Sequence, residues 1–349
     1  MSDWEKIRYP DPLRPGDTIG ITAPSEGVQE KGHPRLDLCI KYLRDLGFKI
    51  LEGECLRKNE KYISAPREER IKDLMRFWQM DEIKAIFPPW GGEILIHLLP
   101  LIDFKKLATS SPKWILGYSD TSTFLFALTI MTGIATAHGT TLMEMIPDQT
   151  GDLSQKWREV LSLKAGDSIQ LQSSSHFETS STNWFSVPSA AFNLTERTEW
   201  KCLQNGKPLD EVEVKGRIVG GCLETISCLT GTPYGNLTHF KEQFSQEGVI
   251  LYLENADSPS ESFCRLLWNL RLAGWFDGIN GLLLGRTKAQ ESEQFQFIDA
   301  LKDVFDDLSI PIIYDVDIGH CPPQMTLING SCAVVNYFQG KGRVTLALS

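Results

Sequence analysis

The chain has no long hydrophobic run. Its most apolar stretch, Phe124 to Ala137, falls short of the roughly 20 residues a membrane span needs and reads as a buried helix followed by a turn. The N-terminus is charged and proline-rich, without the apolar segment of a secretory signal. Cysteine spacing excludes more. Cys39, Cys55, Cys202, Cys222, Cys228, Cys264, Cys321 and Cys332 are scattered, with no Cys-x-x-Cys pair and no Cys/His zinc pattern. They read as small buried apolar residues in a reducing cytoplasm. No P-loop, G-x-G-x-x-G or H-E-x-x-H motif is present, so neither a cofactor nor a metal is expected. Positive charge is also in deficit: 35 Lys+Arg stand against 45 Asp+Glu, a net charge of -10. That argues against nucleic acid as a partner, and the lack of a spanning segment argues against a membrane.

What is present is a large apolar complement. Of 349 residues, 42% are hydrophobic, with 9 Trp, 17 Phe and 8 Tyr, enough for two cores without disulfides. The first part alternates strand and helix. Thr18–Thr22 is a short β-branched run. Leu36, Cys39, Ile40 and Leu43 lie on one helical face, and Phe48–Leu51 is the next strand. Pro66 fits a first helical position, and Ile71, Leu74, Met75 and Trp78 form a further stripe. Strand Ile83–Phe87 runs into Gly91-Gly92, followed by helix Ile94–Leu101, strand Trp114–Leu116, a turn at Gly117–Asp120 and helix Thr121–Met131. This alternation implies an α/β fold with a doubly wound, mostly parallel sheet. Ligands then bind at the carboxyl ends of its strands.

The pattern weakens from Gly151 to Val214, and residues 166–210 read as an irregular connection with a long loop. Regular elements return in the strands Gly216–Gly221, Val249–Leu253, Ile279–Leu284, Ile310–Tyr314 and Val344–Leu348, with helical stretches at Glu261–Ala273 and Phe295–Leu308. The expected organisation is therefore an N-terminal α/β domain over 1–165, the connection, and a C-terminal mixed α/β domain over 211–349.

Ser119 lies in Gly117-Tyr118-Ser119-Asp120, between a buried strand and an apolar helix. A serine at such a turn is held exposed beside free N–H groups, which suits nucleophilic attack and oxyanion stabilisation. A helix cap by Ser119 or Asp120 fits the same spacing. A serine nucleophile needs a base, and the base an orienting carboxylate. His138 follows the helix that Ser119 opens, and His320 follows a predicted strand, as do Glu254 and its rival Glu224. Spacing does not choose within either pair. Gly91-Gly92 offers backbone that a ligand can approach closely. Trp184 and Trp200 flank a charged loop, where an aromatic can stack on a planar ligand or pin the loop to the body.

Taken in order, these segments resemble the LD-carboxypeptidase family of serine peptidases, nearest its microcin C immunity branch. The resemblance runs from Leu13-Arg14-Pro15-Gly16-Asp17 and Ala23-Pro24-Ser25 through Gly91-Gly92 and Gly117-Tyr118-Ser119-Asp120-Thr121. It continues through Gly216-Arg217-Ile218-Val219-Gly220-Gly221 and Leu251-Tyr252-Leu253-Glu254-Asn255 to Asp317-Ile318-Gly319-His320. It implies an N-terminal domain like the class I glutamine amidotransferases. The implied triad is Ser119, His320 and Glu254, against His138 and Glu224. The oxyanion hole falls on the backbone N–H groups of Gly92 and Asp120, with Gly91 and Trp184 at the substrate. Cys222 stands where the family usually has Asn, and Asn255 where it usually has Asp. The implied protein is a cytoplasmic, metal-free, commonly homodimeric serine carboxypeptidase. Its substrate would be a small peptide-like molecule or an aminoacyl-nucleotide of the microcin C type. The alternatives are a murein tetrapeptide, or a catalytically silent binding protein of the same fold.

Overall fold

The computed structural model describes residues 4–146 and 152–349. The four expected strands of the first part form β1 (Thr18–Ile21), β2 (Lys49–Glu52), β3 (Ile83–Phe87) and β4 (Trp114–Gly117), and a fifth, β5 (Thr136–His138), stands where the sequence suggested a turn. They pair in parallel in the order 5-4-3-1-2. Near-continuous apolar runs such as Ile83–Phe87 are what a parallel sheet covered on both faces requires. A further strand, Leu327–Asn329, arrives from the far end of the chain and pairs antiparallel with β5. The two halves therefore share this sheet.

A second, nine-stranded sheet has four parallel strands at its centre: Glu211–Cys222, Val249–Glu254, Gly281–Gly285 and Ile312–Val316. Antiparallel strands flank them, including Cys332–Phe338 and Lys341–Ala347. Residues 166–210 differ from the expected irregular connection, since Ser168–Gln172 and Lys201–Gln204 are strands of this sheet. Ser168–Gln172 is largely polar because it is an edge strand with one face solvated, and Lys201–Gln204 is only four residues long, with Cys202 and Leu203 buried. That is why the apolar pattern fades there.

Helix Ser122–Thr132 is buried at every position but Met131, as its all-round apolar character demands. Phe126 stacks on Trp275 at 5.1 Å, and Ser122 accepts a hydrogen bond from Cys222 N at 3.1 Å, so this helix lies against the second half of the chain. It ends at Gly133, whose φ of +66° provides the left-handed cap.

Two local expectations shift. The segment Leu95–Leu101 is a 3-10 helix, with Pro100 inside it denying an α-helical N–H. In helix Arg67–Gln79 the buried face is Arg70, Asp73, Leu74, Phe77 and Trp78, so Ile71 and Met75 are only half-buried. Arg70 turns inward to donate to Pro24 O at 2.8 Å, and Asp73 to accept from Thr22 Oγ1 at 2.7 Å. Polar positions that an apolar stripe cannot reveal thus set the face. All eight cysteines are free. Six are buried as expected, whereas Cys228 is exposed and Cys332 half-buried. Among the described residues no helix is long and apolar enough to cross a membrane.

Candidate active site

β4 hands over to helix Ser122–Thr132 through one 3-10 turn, Ser119–Thr121. Tyr118 is still extended, at φ -151°, and Ser119 flips to φ +58°. A left-handed conformation is costly for a residue with a Cβ and concentrates at functional sites. The sharp turn sets Ser119 at the strand's carboxyl end. Gly91 lies directly against it: a Cβ there would sit 2.7 Å from Ser119 Oγ and 2.9 Å from Asp120 N. Gly92 has φ +142°, and a Cβ on it would press on Glu26 at 2.8 Å. The carboxylate of Asp120 is buried. It accepts hydrogen bonds from Ser25 Oγ, from Leu95 N at 2.8 Å and from Thr123 Oγ1 at 3.4 Å. It therefore clamps the loops after β1 and β3 onto the turn. Burial raises its pKa.

Glu254 ends strand Val249–Glu254, and its side chain is wholly buried. Its Oε2 receives His320 Nδ1 at 2.7 Å. The approach depends on Gly319, at φ +88°, whose Cβ would fall 2.6 Å from that of Glu254. The loop is fixed one step earlier by Asp317, which pairs with Arg286 and accepts from Trp200 Nε1 at 2.8 Å and Ser174 N at 3.2 Å. The His320 ring meets the edge of Tyr118, with centroids 4.8 Å apart, so it rests on the residue preceding Ser119. Burial works against ionisation of both partners. For Glu254 the imidazole's charge and hydrogen bond outweigh it, and its pKa is lowered. For His320 the carboxylate likewise wins, and its pKa is raised.

The rivals occupy neighbouring places. His138 is buried, with Nε2 3.9 Å from Glu254 Oε1, beyond hydrogen-bond distance. Burial pushes its pKa down to about 4, so it stays neutral. Glu224 Oε1 accepts from the backbone N–H groups of Ala256, Asp257 and Ser258 at 3.0–3.3 Å, which ties down the loop after Glu254. Cys222 donates its thiol to Glu224 Oε2 at 3.3 Å. Asn255 closes the same loop, donating to Ser258 O at 2.9 Å and accepting from Ser258 N at 3.1 Å.

A cavity of about 330 Å³ opens beside this cluster, with Trp90, Tyr118, Trp184, Phe192, Lys288 and His320 in its wall. Trp184 is half-buried there, whereas Trp200 is fully buried and serves Asp317. Of the two loop tryptophans, only Trp184 reaches the cavity. Tyr118 and Lys288 went unnoticed in the sequence. Lys288 lies just past the carboxyl end of strand Gly281–Gly285, the placement that singled out Glu254 and His320. It pairs with Glu178 at 3.6 Å. Tyr118 donates to the buried Glu144 at 2.8 Å, a pairing that no spacing signals.

The N-terminal domain of LD-carboxypeptidases matches residues 19–139 and their C-terminal domain matches residues 215–335. A putative carboxypeptidase of Vibrio cholerae is 26% identical, covering 94% of this chain and 95% of its own. A probable murein peptide carboxypeptidase of Bacillus subtilis is 25% identical over 94% of this chain and 91% of its own. The microcin C7 self-immunity protein MccF of Escherichia coli is also 25% identical, over 93% and 92%. Among solved structures, MccF in complex with aspartyl sulfamoyl adenosine superposes with a TM-score of 0.82 at 23% identity, covering 97% of this chain and 98% of that one. A muramoyltetrapeptide carboxypeptidase from Oxalobacter formigenes gives 0.71 at 21% identity, over 95% and 98%. The chain belongs to the LD-carboxypeptidase family and is a serine-type carboxypeptidase.

Proposed function

We propose that Ser119 is the nucleophile, His320 the general base and then acid, and Glu254 the group that orients and charge-stabilises the imidazole. The observation that carries this is the strained turn at Ser119, pressed against Gly91, with the Glu254–His320 pair resting on Tyr118. Ser119 Oγ adds to the carbonyl carbon of the scissile amide while its proton passes to His320. The Gly92 and Asp120 N–H groups receive the oxyanion. The C–N bond breaks as His320 returns the proton to the leaving nitrogen, giving an acyl-enzyme ester. Water, deprotonated by His320, cleaves the ester to a carboxylate and restores Ser119. Glu254 stays ionised throughout. Its depressed pKa keeps it negative when the imidazolium forms.

The substrate class that the cavity supports best is an aminoacyl- or peptidyl-nucleotide. Trp90, Trp184 and Phe192 give its wall flat apolar faces, which a purine can stack on and a sugar-peptide uses less well. Related proteins are named for the chemistry. MccF has been solved with aspartyl sulfamoyl adenosine, and one of its tryptophan variants with adenosine monophosphate. A murein tetrapeptide is the second reading, supported by the equal identity to the Bacillus subtilis murein peptide carboxypeptidase. Turnover of aspartyl sulfamoyl adenosine and of murein tetrapeptide by the wild type, by Ser119→Ala, by His320→Ala and by the double variant tests both points. Each single variant should abolish turnover, and the double variant should be little worse, because the three groups act as a unit. Substantial activity in Ser119→Ala would remove it as nucleophile. Turnover of the tetrapeptide alone would reverse the substrate reading.

A further inference from the structure

We propose that Arg35 is a positioning residue for substrate recognition, holding the indole of Trp184 from behind as the plane on which a nucleotide base docks. This rests on the nucleotide reading of the substrate.

Arg35 lies in the first turn of helix His33–Asp45, and its side chain is completely buried. A buried guanidinium is costly unless its donors are satisfied. Here Nε and Nη1 go to main-chain carbonyls of two loops, while Nη2 is buried without a hydrogen-bond partner. Nε donates to Met143 O at 2.8 Å, and Nη1 to Pro188 O at 2.9 Å and Ala190 O at 2.7 Å. The first carbonyl belongs to the loop after β5, and the other two to the loop that carries Trp184. The guanidinium carbon lies 4.4 Å over the Trp184 ring. One turn earlier Lys31 lies 4.5 Å over the Phe185 ring, and Phe185 in turn meets the edge of Trp90 at 6.4 Å. Two cations spaced i, i+4 thus seat two consecutive aromatics of the loop.

The arrangement divides the labour on the indole. Arg35 covers one face, and the half-buried ring still contributes to the cavity wall beside Tyr118, Lys288 and His320. A ligand with a flat π-system takes the remaining face. Ordering the ring in advance removes an entropic cost from binding. Lysine is a poor substitute, because a compact ammonium lacks the planar guanidinium that reaches carbonyls of both loops while lying flat on an indole.

The test uses the full chain with two probes: adenosine monophosphate, followed by tryptophan fluorescence, and aspartyl sulfamoyl adenosine, followed by turnover. The variants are Arg35→Met, Arg35→Lys, Trp184→Ala and the Arg35→Met/Trp184→Ala double. Arg35→Met should weaken nucleotide binding and raise KM by about 5- to 30-fold, the range a largely desolvated cation–π contact is worth, with kcat much less affected. Arg35→Lys should not rescue, and should carry the same test if Arg35→Met does not fold. The double variant should bind nucleotide no more weakly than Trp184→Ala, since Arg35 acts through that ring. Additive losses, or wild-type affinity in Arg35→Met, would overturn the proposal while leaving the substrate reading intact. A wild type that neither binds adenosine monophosphate nor cleaves the adenylate analogue would overturn both.

Discussion

Adding a single methyl group at Gly91 tests the closest contact in the site. The Cβ of a Gly91→Ala variant would lie 2.7 Å from both Cβ and Oγ of Ser119, whereas ordinary van der Waals contact begins near 3.4 Å. One side must yield by about 0.7 Å. Ser119 is held by a strained turn and by the packing of helix Ser122–Thr132, while the Gly91 loop is held through Leu95 N on Asp120. Neither moves freely, so the hydroxyl and the neighbouring N–H groups lose their mutual register. A 1 Å misplacement costs about 10²-fold in rate, so kcat should fall by about 10- to 100-fold. Overpacking costs about 1–3 kcal/mol of stability, a fall in Tm of several degrees. Gly166→Ala is the control. Its φ of +93° makes alanine unfavourable there, but a Cβ would meet nothing within 4 Å. Steady-state kinetics and thermal melts on both variants separate catalysis from stability. Refutation would be a folded Gly91→Ala enzyme that turns over as fast as the Gly166→Ala control, since the glycine would then not be what keeps Ser119 competent.

Three further outcomes can be checked. Glu254→Gln should lower kcat by about 10²- to 10⁴-fold with a small change in KM, whereas Glu224→Gln, which loosens the 256–258 loop and the Cys222 thiol contact, should show mainly as a lower melting temperature. Glu254 has a depressed pKa, so its contribution to stability is present above its unfolded value near 4.5 and is lost as pH falls through the folded value. His320 has a raised pKa, so its contribution is full below 6.5 and is lost as pH rises through the folded value. The melting-temperature advantage of wild type over Glu254→Gln should therefore peak between those two values, measured by scanning calorimetry across pH. Trp184→Ala should raise KM for an adenylate analogue by about 5- to 150-fold, the range that base–aromatic stacking implies. Equal losses on a nucleotide-free peptide would instead mark Trp184 as a structural anchor.

Local chemistry alone determined much of the first sheet. Ile83–Phe87 and Trp114–Gly117 are apolar runs that only a covered parallel strand can use, and the Gly91-Gly92 and Gly117–Asp120 turns mark their carboxyl ends. The edge strand Ser168–Gln172 was illegible because its mostly exposed polar residues erase the apolar alternation, and Lys201–Gln204 because four residues with only Cys202 and Leu203 buried carry too short a pattern; the partners Arg343–Ala347 and Ile312–Tyr314 lie far away in the sequence. The same holds for the site. Residue type and spacing left Glu254 and Glu224, His138 and His320, and Trp184 and Trp200 open, and only the family resemblance chose Glu254, His320 and Trp184. The tertiary structure gives each of the six a different environment. It brings His320 Nδ1 to Glu254 Oε2 across 66 residues, leaves His138 neutral and out of hydrogen-bond reach, and spends Glu224 on three backbone N–H groups. It buries Trp200 on Asp317 and puts Trp184 in the cavity wall. A sequence records which groups can donate, accept or stack. Which of them meet depends on loop closure between distant strands, and that is decided by the packing of the whole chain.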